Sequence, residues 1–355
     1  MEEYITRMGD GRRVRMTKEQ IEADIVAGMA DGADAARVPE LSQDEMDRIL
    51  EIVCDKSKIT SIEPGREVCL SKDAGAIKFN QDNGGSGNAI PCMGRLEGLL
   101  VYERCLTFDS MELAWMDYSI KPVKAVINCE TSNYEQMALM TTLPLVMGAM
   151  PNMGLYYAPD GPYPNPTDLM REFKIEESMA ASEAAAEHLT RDIGYVCQEI
   201  DKVGCEGFNF DTVASAGDAE FVATLKGIEN YRKSNPNAYI ECGMSAENVL
   251  GIHGGMEYDG KIVAGMYPQD QVKLAEKAGT NIFGSVVNTN TSKSFAWNAA
   301  RSAVITKACV EAANIPVHAN MGMGVGGIPM CELPPTDITG RAAKILIEIA
   351  NIDGI

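Results

Sequence analysis

The residues of this sequence best placed to do chemistry are carboxylates that close short apolar runs. Asp211 follows Phe208-Asn209-Phe210, and Glu241 follows Tyr239-Ile240. A carboxylate at the end of a buried strand can hold an ammonium group or serve as an acid or base. Plainer roles compete with these. Asp211 is also suited to cap a helix or turn before Thr212, and Glu241 to sit in a structural ion pair. Other apolar runs end on polar groups in the same way: Asn128, Cys129 and Glu130, then Asn152, Asn288 with Asn290, and His318 with Asn320. Tyr156, Tyr157, Tyr163 and Tyr267 offer ring faces to an alkylated cation, although loop packing accounts for each more simply. Tyr157, Tyr267, Asn288, His318 and Asn320 are therefore the candidate substrate contacts. His188 falls within a helical run and His253 beside a glycine turn, which leaves His318 as the histidine placed for chemistry.

A second feature is the run Met321–Pro329, in which Gly322, Gly324, Gly326 and Gly327 fall close together. Glycine lets the backbone approach a large ligand, or turn its N–H groups on a phosphate. A tight loop requiring positive φ explains the run equally well. No basic residue lies between Met321 and Thr339, which weighs against a phosphate. No histidine or cysteine spacing fits a metal site, and no C-x-x-C, G-x-S-x-G or Walker pattern occurs. Cys54, Cys197 and Cys309 lie in apolar runs and read as reduced thiols.

These residues need a scaffold that brings strand ends to one face, and the hydrophobic pattern supplies one. From about residue 122 the chain alternates strand and helix. The strands read as Lys124–Asn128, Leu145–Ala149, Gly207–Asp211, Ala238–Glu241, Lys261–Ala264, Asn281–Val287 and Ile315–His318. The helices read as Asn133–Thr142, Glu176–Val203, Asp218–Lys233, Ala246–Ile252, Gln269–Ala278, Phe295–Ala313 and Asp337–Ala350, with a long loop over Met150–Asp168. Several helices end at Gly or Asn (Gly204, Gly279, Asn314, Asn351). Asn351–Ile355 reads as the opening of an eighth strand. The expected fold is α/β, a TIM (β/α)8 barrel cut off within strand eight, whose active face lies at the strands' C-terminal ends. Residues 121–355 would form this barrel and residues 1–120 an N-terminal α+β extension packed on it. In that extension Thr17–Ala30 and Ser42–Cys54 read as helices with capping boxes, Thr17 with Gln20 and Ser42 with Glu45. A short β region follows over Arg66–Leu70 and Ala76–Asn80.

The totals exclude several classes. In 355 residues there are 51 acidic and 31 basic side chains, a net charge of −20, which disfavours nucleic acid and anionic membranes as partners. The start of the chain, Met1–Arg15, is charged and unlike a signal peptide, and no run is long and apolar enough to span a bilayer. The expected location is cytoplasmic.

Several long runs resemble one family. MGDG near the start, GAMPNMGLYYAPDGPY (148–163), AAEHLTRD (185–192), NFDT (209–212), NTNTSK (288–293), AWN (296–298) and MGMGVGGIPM (321–330) are similar to the dimethylamine methyltransferases of methylotrophic methanogens and some anaerobic bacteria. The resemblance implies methyl transfer from dimethylamine to the Co(I) corrinoid of a separate partner protein, with no tightly bound cofactor of the chain's own and a homo-oligomeric state. It also implies pyrrolysine, encoded by an in-frame amber codon, directly after Ile355, so that this chain would be the product ending at that codon. Asp211 and Glu241 would then be the catalytic carboxylates, and the Gly322–Gly327 loop would face the corrinoid. Two other readings remain: an inactive truncated fragment, and a different barrel enzyme acting on a phosphorylated or acidic small molecule.

Overall fold

The computed structural model describes residues 2–66, 68, 124–125, 146–148, 153–202, 204, 206–210, 213–243, 245–251, 255–322, 324–331 and 334–355. The chain opens with a hairpin, β1 (Glu3–Arg7) and β2 (Arg13–Thr17), followed by helices α1 (Lys18–Ala36) and α2 (Gln43–Val53). The strands β3 (Lys124–Ala125) and β4 (Val146–Gly148) come next, then helices α3 (Pro166–Arg171) and α4 (Ile175–Lys202). Strand β5 (Gly207–Phe210), helix α5 (Asp218–Ser234) and strand β6 (Tyr239–Cys242) follow. A second hairpin, β7 (Glu257–Tyr258) and β8 (Lys261–Ile262), precedes α6 (Pro268–Ala278). The rest is β9 (Ile282–Ser285), α7 (Phe295–Ala312), β10 (Val317–Ala319) and α8 (Thr336–Ile345), which runs on as a π-helical turn over Leu346–Ala350.

The main sheet has the order β10-β9-β6-β5-β4-β3, with every neighbouring pair from β4 to β10 parallel. This is an α/β architecture. Beyond β10 the register continues: His318 bridges Gly354 in parallel, Ala319 N–H donates to Gly354 O at 2.9 Å, and Asp353 N–H donates to Val317 O at 2.8 Å. Residues 353–354 thus lie alongside β10 as the sequence pattern anticipates. Asn351 turns the chain there at φ 54, and Gly279 caps α6 at φ 107. Asn and Gly tolerate this left-handed geometry better than other residues.

Three expectations differ from the structure. Lys261–Ala264 does not enter the main sheet: β8 pairs antiparallel with β7, and β6 pairs directly with β9. The cause is Asp259-Gly260, both at positive φ (53 and 69), the pair favoured in a tight hairpin turn. Residues 245–251 are irregular rather than helical. Strand β3 runs antiparallel to β4, not parallel. The β1–β2 hairpin and α3 are additions that the pattern did not suggest. The expected helix 133–142 and strand 76–80, and nearly all of the strand at 66–70, lie outside the described residues.

Burial explains the sheet. Phe208 and Phe210 are fully buried on one side of β5, where Phe208 meets the Tyr231 ring of α5 at 6.4 Å. Strand alternation therefore turns Asn209 to the other side. Helices α1 and α2 share one apolar core with α7 and α8, built on Ile21, Ile25, Ile49, Phe295, Ala303 and Ile345. Gly28 allows the close approach, because a Cβ there would lie 2.1 Å from Trp297 O. Both capping boxes form, at Thr17/Gln20 and Ser42/Glu45.

Polar ties fasten the same contact. Arg48 Nε of α2 donates to Glu348 Oε2 at 2.7 Å, and Lys344 Nζ lies 3.6 Å from Glu348 Oε1. Burial acts to raise the Glu348 pKa, but the bonds from Arg48 and the charge of Lys344 outweigh it, so the carboxyl stays below its usual range. A depressed carboxylate stabilises the fold above its unfolded pKa, about 4.3, and that stability is lost as pH falls through the lower folded value. Thermal unfolding between pH 6 and pH 3 should therefore show a shallower acid decline in Glu348→Gln than in the parent.

Candidate functional site

Asn209, Glu241 and His318 lie on one side of the sheet. Asn209 is in register with Glu241, Glu241 with Ile282, and Gly284 with His318. Strands β6 and β10 are not neighbours, since β9 runs between them. Their side chains are about 10 Å apart at the backbone, twice the interstrand spacing. They meet because β9 offers Gly284 at the position level with His318. His318 Nδ1 lies 2.7 Å from Glu241 Oε1, and the two side chains are 16% and 4% exposed. A carboxylate can only accept, so Nδ1 carries the proton of this bond, and the tautomer that this selects has its lone pair at Nε2.

Asn320 holds the other side of the ring. Its backbone N–H and its Nδ2 both donate to Ser285 O, at 2.9 and 3.1 Å, and Nδ2 lies 3.5 Å from His318 Nε2. The amide orientation is set by Ser285, so a donor faces Nε2, in keeping with the tautomer set by Glu241. The arrangement can therefore hold a cation through the Glu241 carboxylate and move a proton at His318 Nε2. Cys242, next to Glu241, faces the opposite side, and burial pushes its thiol up to about 12. The thiol is inert at neutral pH. Among the described residues no group of acidic, histidine and cysteine side chains could hold a metal ion.

The other candidates have different surroundings. Asp211 lies outside the described residues. Tyr157 hydrogen-bonds Ser182 of α4, and burial, with the carboxylates Glu220 and Asp218 adding to it, pushes its phenol above the usual range. Tyr267 lies under the Arg37 guanidinium at 5.6 Å. Asn288 is exposed, and its backbone N–H donates to Glu247 Oε2 at 2.8 Å. The His188 ring packs at a tilt against Tyr156, centroids 4.8 Å apart, and its Nδ1 lies 3.5 Å from the Tyr163 hydroxyl, tying the loop to α4.

The glycine run is strapped to the segment after β9. Thr289 N–H donates to Gly324 O at 2.8 Å and Gly326 N–H to Val287 O at 2.9 Å. Gly324, Gly326 and Gly327 have φ of 78, 67 and 79, and Gly322 bridges Val325. The N–H groups of Gly322, Gly324 and Gly326 already donate to Val325, Pro329 and Val287, so they form no phosphate cradle. The turn of the first hairpin joins this loop: Gly9 N–H donates to Lys293 O at 2.7 Å, and Met330 N–H to Gly9 O at 2.7 Å. Three runs far apart in the chain (8–11, 288–293 and 321–330) thus form one structure.

Asn298 on α7 organises that structure, and sequence reasoning had given it no role. It is 2% exposed. Its Oδ1 accepts from Asn290 N–H at 2.7 Å, and its Nδ2 lies within 3.0 Å of Asn290 O and Ser294 O. Asn298→Leu should lower unfolding stability by about 2 kcal/mol, because the part-buried Asn290 backbone and the buried Ser294 carbonyl lose their bonds to its side chain. Thermal or urea unfolding of the variant checks this. Asn209 was missed as well, although one polar residue between two phenylalanines was a visible signal.

No helix among the described residues is long and apolar enough to cross a membrane. A family model described as dimethylamine methyltransferase matches residues 2–355. No solved structure matches the chain.

Proposed function

The chain belongs to the dimethylamine methyltransferase family, and from that premise we propose that it transfers a methyl group from dimethylamine to the Co(I) corrinoid of a partner protein, releasing methylamine. The match over residues 2–355 carries this reading. The reaction breaks a C–N bond, and nitrogen must keep the electron pair. An amide anion is a very poor leaving group, whereas a neutral amine leaves readily, so the nitrogen must be cationic when the bond breaks. Glu241 supplies a buried negative charge for that cation, and His318 carries a proton site in contact with it. Asp211, two residues beyond Asn209 in sequence, is proposed as a second carboxylate of the same site.

The resemblance further implies pyrrolysine after Ile355, which would supply an electrophilic carbon for the amine, while the partner's corrinoid would supply the methyl acceptor. The parallel pairing of Gly354 with His318 supports this, since a strand continuing from there would border the Glu241–His318 pair. It also supports the proposal that the sheet belongs to a TIM barrel. The Gly322–Gly327 loop is proposed to face the corrinoid domain. Natively expressed protein, mixed with dimethylammonium and reduced corrinoid partner, should convert Co(I) to methyl-Co(III) and release one methylamine per methyl transferred. Its intact mass should exceed that of these 355 residues. Absence of cobalt methylation with a competent partner would overturn the reading.

A further inference from the structure

Asn209 presents a buried acceptor with nothing to accept. The residue is 7% exposed, and among the described residues its Oδ1 receives no hydrogen bond. Buried amide oxygens are normally paired, because an unpaired one forfeits its bond to water. With no donor among the described residues, the orphan leaves a place for one that a bound ligand could supply. Its direction is given by Gly243, where a Cβ would lie 2.6 Å from Asn209 Oδ1. Gly243 lies two residues beyond Glu241, just past the C-terminal end of β6, where strand alternation continued by one step keeps it on the side of Glu241. The oxygen is thus aimed past Glu241 toward the end of the sheet where His318 and Asn320 converge. Gly243 gives it room by having no side chain.

We propose that Asn209 is a specificity-determining residue that accepts one N–H of a secondary ammonium ion held by Glu241. The inference rests on the substrate class proposed above and adds the means of selecting within it. Methylated ammonium ions differ in how many N–H donors they carry: two in dimethylammonium, one in trimethylammonium, none in tetramethylammonium. A carboxylate alone attracts all three by charge. A buried neutral acceptor beside it rewards the ion that still has a donor after the carboxylate has taken one. Trimethylammonium would leave Asn209 Oδ1 unpaired and set a methyl group against it, a cost of the kind that lets a polar site reject an analogue lacking a donor.

Calorimetric titration of the full-length protein with the chlorides of the three ions tests this. The parent should prefer dimethylammonium over trimethylammonium. Asn209→Leu, similar in size but without an acceptor, should weaken dimethylammonium binding about 10- to 100-fold, as expected for a hydrogen bond to a charged donor. It should leave trimethylammonium within about threefold, the range of ordinary context effects on one contact. Asn209→Asp, which keeps an acceptor, should retain the preference. If the parent binds none of the ions, the proposed substrate class fails and this inference with it. If the parent prefers dimethylammonium and Asn209→Leu keeps that preference, the assignment of Asn209 alone is overturned. Should Asn209→Leu not fold, Gly243→Ala carries the test, because its methyl displaces Oδ1 and should likewise erase the preference. An unchanged preference in that variant overturns the assignment.

Discussion

Glu241→Gln should fold and yet lose methyl transfer by about 100-fold or more, the loss expected when a charged group in an acid–base site is neutralised. Glutamine keeps the shape of the side chain and can still accept from His318 Nδ1 through Oε1, so the 2.7 Å contact has a replacement. What disappears is the negative charge, and with it both the counter-charge for an imidazolium and the attraction for a substrate cation. Glu241→Ala should do more. It leaves a largely buried Nδ1–H without its acceptor beneath β10 and opens a space where a side chain 4% exposed had been. A stability loss of about 3 kcal/mol is expected for breaking such a buried pair from one side. Turnover with the reduced partner, read beside urea unfolding for each variant, separates the two effects. A glutamine variant with turnover within twofold of the parent would remove charge from the account of Glu241 and reduce the pair to a strut across β9.

The pair shows why the sequence was only partly readable. Glu241 and His318 each stood out separately, as polar residues at the ends of apolar strands. That they touch depends on β9 lying between them with Gly284 level with His318, and strand order is a long-range property that local pattern does not contain. The long helices α4, α5, α6 and α7 and both capping boxes were legible, because periodicity and caps are local. Lys261–Ala264 misled for the opposite reason. A short apolar run looks the same in a buried parallel strand and in a two-residue hairpin arm, and only the Asp259-Gly260 turn distinguishes them. Asn209 and Asn298 were hidden differently. Their roles come from buried partners, present or missing, and these are set by residues up to eight positions away or on another strand.

Gly326→Ala and Gly324→Ala should part sharply, although the two glycines are neighbours in one loop. Both have positive φ, 67 and 78, which strains any L side chain by about 1 kcal/mol. At Gly326 a Cβ would also lie 2.5 Å from Asn320 O and 3.2 Å from Met321 Cα, backbone atoms that cannot swing aside. The substitution must push Asn320, and Asn320 is what faces His318 Nε2. A stability loss of about 3 kcal/mol is expected, combining the φ strain with overpacking of a filled site. Turnover should fall with it, with the Michaelis constant for the corrinoid partner little changed. At Gly324 the added Cβ meets only the end of the Met330 side chain, at 2.3 Å from Cε. Met330 is 55% exposed and free to turn outward, so that substitution should cost little more than the φ strain. Gly324 is therefore the cleaner probe of the proposed corrinoid-facing role. A raised Michaelis constant for the partner, with unfolding nearly unchanged, is the expected result for Gly324→Ala. An unaltered constant in a folded Gly324→Ala protein would mean that the glycines serve the loop's own geometry and its grip on Asn320, rather than the approach of a partner.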